Sequence, residues 1–202
     1  MYPTAEARWF VEGALPEEVV RWFAAVAGDA EWEERTDRYV RPSGPDGLGV
    51  KWRQGNAEVK RRACTVGEEA LHERVTGRVE RWRKWSFPLA ERAALTEPGG
   101  DWVDVAKRRK VRDFAGEGAV RRVDAGAWSP AGCSLEVGEV RVGERTWWSV
   151  CFEAFGSDEA ALTGRLCRIG RHVLALAEPP RLEAARSMGY PAWLVQEVTR
   201  ES

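Results

Sequence analysis

An α+β fold, built on an antiparallel β-sheet or barrel with flanking helices, is what this sequence predicts. Two observations lead to it. Helical spacing of apolar residues occurs only in stretches towards the two ends of the chain. Nearly everything between them alternates as strands do. A length of 202 residues suggests a single domain, 1–202, and is ample for a substantial core.

The elements follow in order. Glu6 to Phe10, "EARWF", reads as a first strand. "LPEEVVRWFAAVAGD" places Pro16 at a helix start and acids in the first turn, where the helix dipole favours negative charge. Val19, Phe23 and Val26 share one face, so the spacing predicts a helix over 16–27. A strand is expected near 33–40, before "RPSGPDG", and others near 48–54, 57–64, 71–87, 102–114, 133–142 and 146–155. The segments 97–101 "EPGGD" and 115–118 "AGEG" read as turns or loops. From Asp158 the period changes. Leu162, Leu166, Ile169, Val173 and Leu176 are helically spaced, which predicts a helix over 158–176. "EPPRLEAARSMGYPAWL" reads as a short helix and an aromatic closing segment, so 158–202 is expected to pack on the barrel as a helical extension. Helices at both ends of many antiparallel strands complete the prediction.

Composition narrows the function classes. A formal net charge of −1 makes no whole-protein case for nucleic acid or membrane, so any anion site must be local. Cys64, Cys133, Cys151 and Cys167 are scattered without a C-x-x-C, and with two histidines they imply neither a zinc site nor a disulfide framework. The N-terminus lacks a basic-then-apolar signal, and no apolar run reaches membrane-spanning length. The expectation is a cytoplasmic protein with reduced thiols and no membrane partner.

Positive charge is nevertheless concentrated. Residues 50–62 "VKWRQGNAEVKRR" and 104–112 "DVAKRRKVR" each carry five Lys/Arg against one acid. In the first, Gln54-Gly55-Asn56 reads as a hairpin turn. Lys51 and Arg53 share one face of its first arm, and Glu58, Lys60 and Arg62 share one face of its second. With Lys51 and Arg53 lying across from Lys60 and Arg62, like charges would crowd. Two readings stand: a solvated sheet face, or a site in which an anion such as phosphate sits among the cations. Strand alternation puts Lys51, Arg53, Lys60, Lys107 and Arg109 on a common face, and a one-residue slip would exchange Lys107 and Arg109 for Arg108 and Lys110.

A second hairpin, 133–155 "CSLEVGEVRVGERTWWSVCFEAF", carries Glu136 and Glu153 one on each arm. Near a basic face, such carboxylates read either as counter-ions to arginines or as ligands for a divalent metal bridging to phosphate. Trp147 and Trp148 are expected to pack outside the barrel. His72 and His172 are expected to be structural or surface residues, and Cys151 a buried small side chain.

Taken in order, "DRYVRP", "LGVKWR", "AEVKRR", "VAKRRKV", "LEVGEV" and "SVCFEAF" resemble the CYTH domain, the triphosphate tunnel metalloenzymes, over roughly residues 5–155. The resemblance implies an eight-stranded antiparallel tunnel with charged side chains inside. By position it implies a phosphate grip of Lys51, Arg53, Lys60, Lys107 and Arg109, with Arg62 a weaker member and Glu58 lining the tunnel. Glu136, Glu153 and Glu6 would hold Mg²⁺ or Mn²⁺, and Glu136, Glu153 and Lys60 would be catalytic. The chain departs from the family where E-x-E-x-K is usual: "EARWF" offers only Glu6, with Arg8 and Phe10, or, shifted one residue, Ala7 and Trp9, at the other positions. Gly138 stands in place of a second acid, and Glu153 is single where two are usual. Phosphate binding is therefore better supported than hydrolysis. The implied function is metal-assisted hydrolysis of an inorganic or organic triphosphate. The alternative is a non-hydrolytic protein that binds polyphosphate or nucleotide through a degenerate metal site.

Overall fold

The computed structural model describes residues 1–41, 46–53, 55–88, 102–124 and 127–199. Nine strands occur among them: β1 (Tyr2–Glu12), β2 (Glu33–Val40), β3 (Leu48–Arg53), β4 (Asn56–His72), β5 (Val75–Pro88), β6 (Trp102–Ala115), β7 (Arg121–Arg122), β8 (Gly132–Val142) and β9 (Arg145–Phe155). Three helices accompany them: α1 (Glu17–Ala27), α2 (Leu162–Leu174) and α3 (Tyr190–Thr199). Eight strands run in the order β2-β3-β4-β5-β1-β9-β8-β6, and β2 pairs with β6 to close an antiparallel barrel. Closure leaves these strands without a free edge. The short β7 is appended to β6 outside the ring.

Period-two alternation sorts each strand into an inner and an outer face. On β1, Ala5, Ala7 and Trp9 face outward, into the main apolar core under α1 and α2. Helix α1 contributes Val19, Trp22, Phe23 and Val26, and α2 contributes Leu162, Leu166, Ile169 and Val173. Glu6 and Arg8 face inward. With both faces covered, Thr4 to Phe10 is buried throughout, which explains why β1 is much longer than the expected 6–10.

Several expected boundaries move. The strand expected at 71–87 begins at Val75, because Leu71 and His72 end β4 and a turn at 73–74 intervenes. β4 runs on through 65–70, which read as no element, with irregularities at Arg62/Cys64, Thr65/Gly67 and Ala70/His72 that bend it along the barrel wall. Helix α2 is shorter than 158–176. Leu176 lies beyond its end and is exposed, so it is not part of the apolar stripe. The expected turn at 97–101 lies outside the described residues.

The closing segment does more than cover the barrel. A bridge between Trp9 and Ser187 and a hydrogen bond from the Met188 amide to the Arg8 carbonyl (2.9 Å) lead the chain into one end of it. There Tyr190 and Trp193 join Phe10, Tyr39, Val103, Val105, Val140 and Trp147 in a second apolar cluster. Two glycines allow the approach. A Cβ at Gly189 would lie 2.4 Å from the Trp82 ring, and one at Gly49 would lie 3.0 Å from Pro191. Trp147 is thus inside the barrel, contrary to expectation, edge-on to Trp193 at 5.2 Å. Trp148, its neighbour on the alternate face, packs in the outer core as expected.

Candidate functional site

Inside the barrel, beside this plug, lies a cavity of about 130 Å³. Lys51 and Arg53 of β3, Lys60 of β4, and Lys107 and Arg109 of β6 all line it, together with Glu58, Glu136 and Glu153. The common face read from alternation is therefore the inner face. Arg108 and Lys110, the residues a one-residue slip would have substituted, instead stack outside on Trp32 at 4.0 and 5.1 Å. Arg62 does not line the cavity. It pairs with Glu80 at 2.8 Å and with Asp46.

The hairpin register differs from the expected one. A shorter turn sets Arg53 opposite Asn56, Lys51 opposite Glu58 and Gly49 opposite Lys60, so the basic residues of β3 and β4 do not face each other. Like charges do meet on the other side of β4, where Lys60 lies opposite Lys84 of β5.

Arg8, Arg35, Lys84 and Tyr190 also line the cavity, and none was singled out from sequence. Asp37, fully buried on the same face of β2 as Arg35 and Tyr39, accepts hydrogen bonds from Lys51 (3.0 Å) and Lys107 (2.8 Å) and pairs with Arg35 at 3.2 Å. Lys107 also donates to the Tyr39 hydroxyl (2.7 Å) and lies 3.9 Å from the Tyr190 ring centroid. A signal for Asp37 was present: Glu33, Arg35, Asp37 and Tyr39 alternate along β2 as one polar face. For Lys84 and Tyr190 there was none, because only register and the path of the C-terminal segment bring them in.

Charge in the cavity is unbalanced. Among the described residues eight cationic side chains and three carboxylates line it. Glu6, Glu33 and Asp37 pair with the same cations from the surrounding wall, so among the described residues six acids meet eight bases, a formal excess of two positive charges. A larger hollow of about 560 Å³ adjoins it at Arg109. Its five carboxylates, from Asp29, Glu31, Glu33, Asp113 and Asp124, give it the opposite character.

The acids expected to hold a metal are held by cations instead. Glu6 accepts from Arg8 Nε at 3.1 Å through one oxygen and from Lys60 through the other. Glu136 accepts from Arg8 Nη1 at 2.6 Å through one oxygen and from Arg109 through the other. Lys60 also reaches Glu153, at 3.4 Å. A Mg²⁺ needs several oxygen ligands around one point, and Ca²⁺ needs more. Among the described residues no group of three or more His, Cys, Asp or Glu is arranged to supply them. Gly138 has no room for a second acid, since a Cβ there would meet the Arg108 carbonyl oxygen at 2.7 Å and Arg109 Cβ at 2.8 Å. The residues present do not fit a resident divalent ion.

Electrostatics follow from these pairs. Burial by itself would raise the Glu6 and Glu136 carboxyls. Lys60 and Arg8 outweigh it at Glu6, and Arg8 and Arg109 at Glu136, so both sit below the usual carboxylate range. Asp37 is likewise held low, by Lys107 and Lys51. Burial, with Lys51 close by, pulls the Lys107 ammonium down against the opposing pull of Asp37. Burial raises Glu80, which lies opposite Glu6 on β5 and is only partly compensated by Arg62. Cys151 is buried and its thiol is pushed well up, so it is not a thiolate nucleophile. His72 and His172 lie outside the cavity lining.

These shifts predict acid lability. Glu6, Asp37 and Glu136 have folded pKa values below the unfolded value of about 4. Their stabilisation is complete above that pH and is lost as pH falls through it towards their folded values. Glu80 has the opposite sign, favouring the fold at low pH, but it is one group against five, since Glu33 and Glu58 are also held low by their cations. The Tm should therefore fall between about pH 5 and pH 3. A Tm that stays level across that interval would contradict the pairing.

No family model matches the chain, and no curated protein matches it. Among solved structures, the PH1012 protein from Pyrococcus horikoshii OT3 is similar in fold. Its TM-score is 0.51 at 16% identity, over 96% of this chain and 98% of that one. A conserved hypothetical protein from Pyrococcus furiosus aligns over 93% of this chain and 98% of its own at 12% identity, with a TM-score of 0.48. No helix among the described residues is long and apolar enough to cross a membrane.

Proposed function

We propose that this protein binds a small phosphate-rich anion inside its barrel, by a grip related to that of the CYTH domains whose strand order its sequence resembles. The observation that carries the reading is the convergence of eight cationic side chains on one cavity with an excess of positive charge. Lys and Arg at short range are the groups that hold phosphate oxygens, and partial desolvation strengthens each contact. A volume of about 130 Å³ is that of roughly four water molecules, room for about one phosphate group of a chain. The cations face inward, out of reach of a folded nucleic acid.

Tripolyphosphate should therefore raise the Tm, since a ligand selective for the folded state stabilises it by roughly 2.7 kcal/mol at 100 times its Kd. Arg53 makes only loose ion pairs, at 3.9 and 4.0 Å, so Arg53→Ala tests binding with little effect on the unliganded fold. Loss of one charge-assisted contact should weaken binding by about 1.5–3 kcal/mol, roughly 10- to 150-fold. Arg108→Ala, on the outer face, should leave binding unchanged. Equal effects of the two substitutions would reject the cavity as the site.

A second reading, hydrolysis of the bound triphosphate, is favoured by Glu136 and Glu153 lining the same cavity as the cations. Phosphate release from a panel of triphosphates, with Mg²⁺ or Mn²⁺ and with chelator, separates enzyme from binder.

A further inference from the structure

From the arrangement of Arg8 and Lys60 among the glutamates we infer that the barrel grips its anion without a divalent metal, these two side chains serving as built-in cations. The inference rests on the anion-binding reading above. Its geometry is specific. Arg8 spans Glu6 and Glu136, which come from strands on either side of β9, and Lys60 spans Glu6 and Glu153. All four carboxylate oxygens of Glu6 and Glu136 thus already accept a hydrogen bond from a cationic group.

A divalent ion entering here would have to displace a guanidinium or an ammonium and then sit beside it, buried, with like charges repelling across a few ångströms. The displaced group would gain no new carboxylate, because the wall's other acids are themselves paired: Asp37 with Lys51 and Lys107, Glu58 with Lys51 and Lys84. Arg8 and Lys60 both line the cavity as well as anchoring the glutamates. They occupy the place a metal would take between acid and phosphate, and they present positive charge to the anion from there. The consequence is a ligand preference: the free oligophosphate anion rather than its magnesium complex.

The test uses the whole protein and Mn²⁺, whose electron paramagnetic resonance signal is lost on binding. The parent protein should leave the Mn²⁺ signal unchanged. The Tm rise caused by tripolyphosphate should be as large in chelator as without it, and added Mg²⁺ should diminish it by sequestering the ligand. Loss of the Mn²⁺ signal at one equivalent, or a Tm rise that requires metal, would overturn the inference. If tripolyphosphate gives no Tm rise in any buffer, the anion-binding reading fails, and with it the claim of a metal-free grip. The Mn²⁺ titration then reports only whether the glutamates exclude metal.

Arg8→Gln, which frees one oxygen on each of Glu6 and Glu136, should acquire Mn²⁺ binding. Should that buried substitution not fold, Lys60→Gln asks the same of Glu6 and Glu153 at a side chain that is a quarter exposed. A folded variant of either kind that still leaves the signal unchanged would overturn the role given to its cation.

Discussion

Replacing Asp37 by Asn should cost about 3–5 kcal/mol of stability, the range for removing one member of a buried ion pair. The size follows from how many groups depend on it. Asp37 is fully buried and is the carboxylate between Lys51, Lys107 and Arg35. Asn preserves volume and one acceptor, but three cations would lose a shared counter-charge at a place where burial already disfavours the lysines. At about 2–4 °C per kcal/mol, the Tm should drop by roughly 6–20 °C. Urea denaturation with an unchanged slope would confirm that stability, and not the denatured state, has changed. Tripolyphosphate supplies negative charge to the same cavity, so its Tm rise should be larger in Asp37→Asn than in the parent. A stability loss below about 1 kcal/mol, the value of an exposed pair, would show that Asp37 is not the hub of this wall.

Trp193→Ala should be comparably severe, at about 3–5 kcal/mol, because it removes a large ring from a closed apolar site. Trp193 is 1% exposed, stacks on Phe10 at 4.6 Å and meets Trp147 and Tyr190 edge-on at 5.2 and 5.5 Å. The cluster around it draws on five strands, β1, β2, β6, β8 and β9, and on α3 itself, so its members cannot all collapse inward to refill the space. Hydrogen exchange in 187–199 should accelerate together with the loss, as the plug loosens from the barrel end. If α3 merely lay against the outer wall, truncating the ring would cost under about 1 kcal/mol, within the range of surface changes.

How much of this was legible before the fold is clearest at particular residues. Inner-face membership was legible for Lys51, Arg53, Glu58, Lys60, Lys107, Arg109, Glu136 and Glu153, all of which line one cavity. Strand order resembled a tunnel family closely enough to anticipate a closed barrel. The partner of each charge was not legible. Arg8 was noted only as a departure from an acidic pattern, yet it joins Glu6, two residues away, to Glu136, 128 positions distant. Lys51 was expected across from a base and lies across from Glu58.

By itself, then, the sequence determined which side chains of a strand share a face, because that depends on a local period of two and survives whatever the strands pair with; which face turns inward it left open at 107–110 and misplaced at Trp147. Only the tertiary structure decided which inward charges pair with one another. Register depends on turn length, as the hairpin at Gly55 shows, and on the relative shift of strands when β2 meets β6 to close the ring. The plug was decided the same way. Tyr190 and Trp193 carry no mark of an interior position in their own segment. They enter because Gly49 and Gly189 leave room for the helix at the barrel's apolar end, where exposed aromatic faces would otherwise meet water.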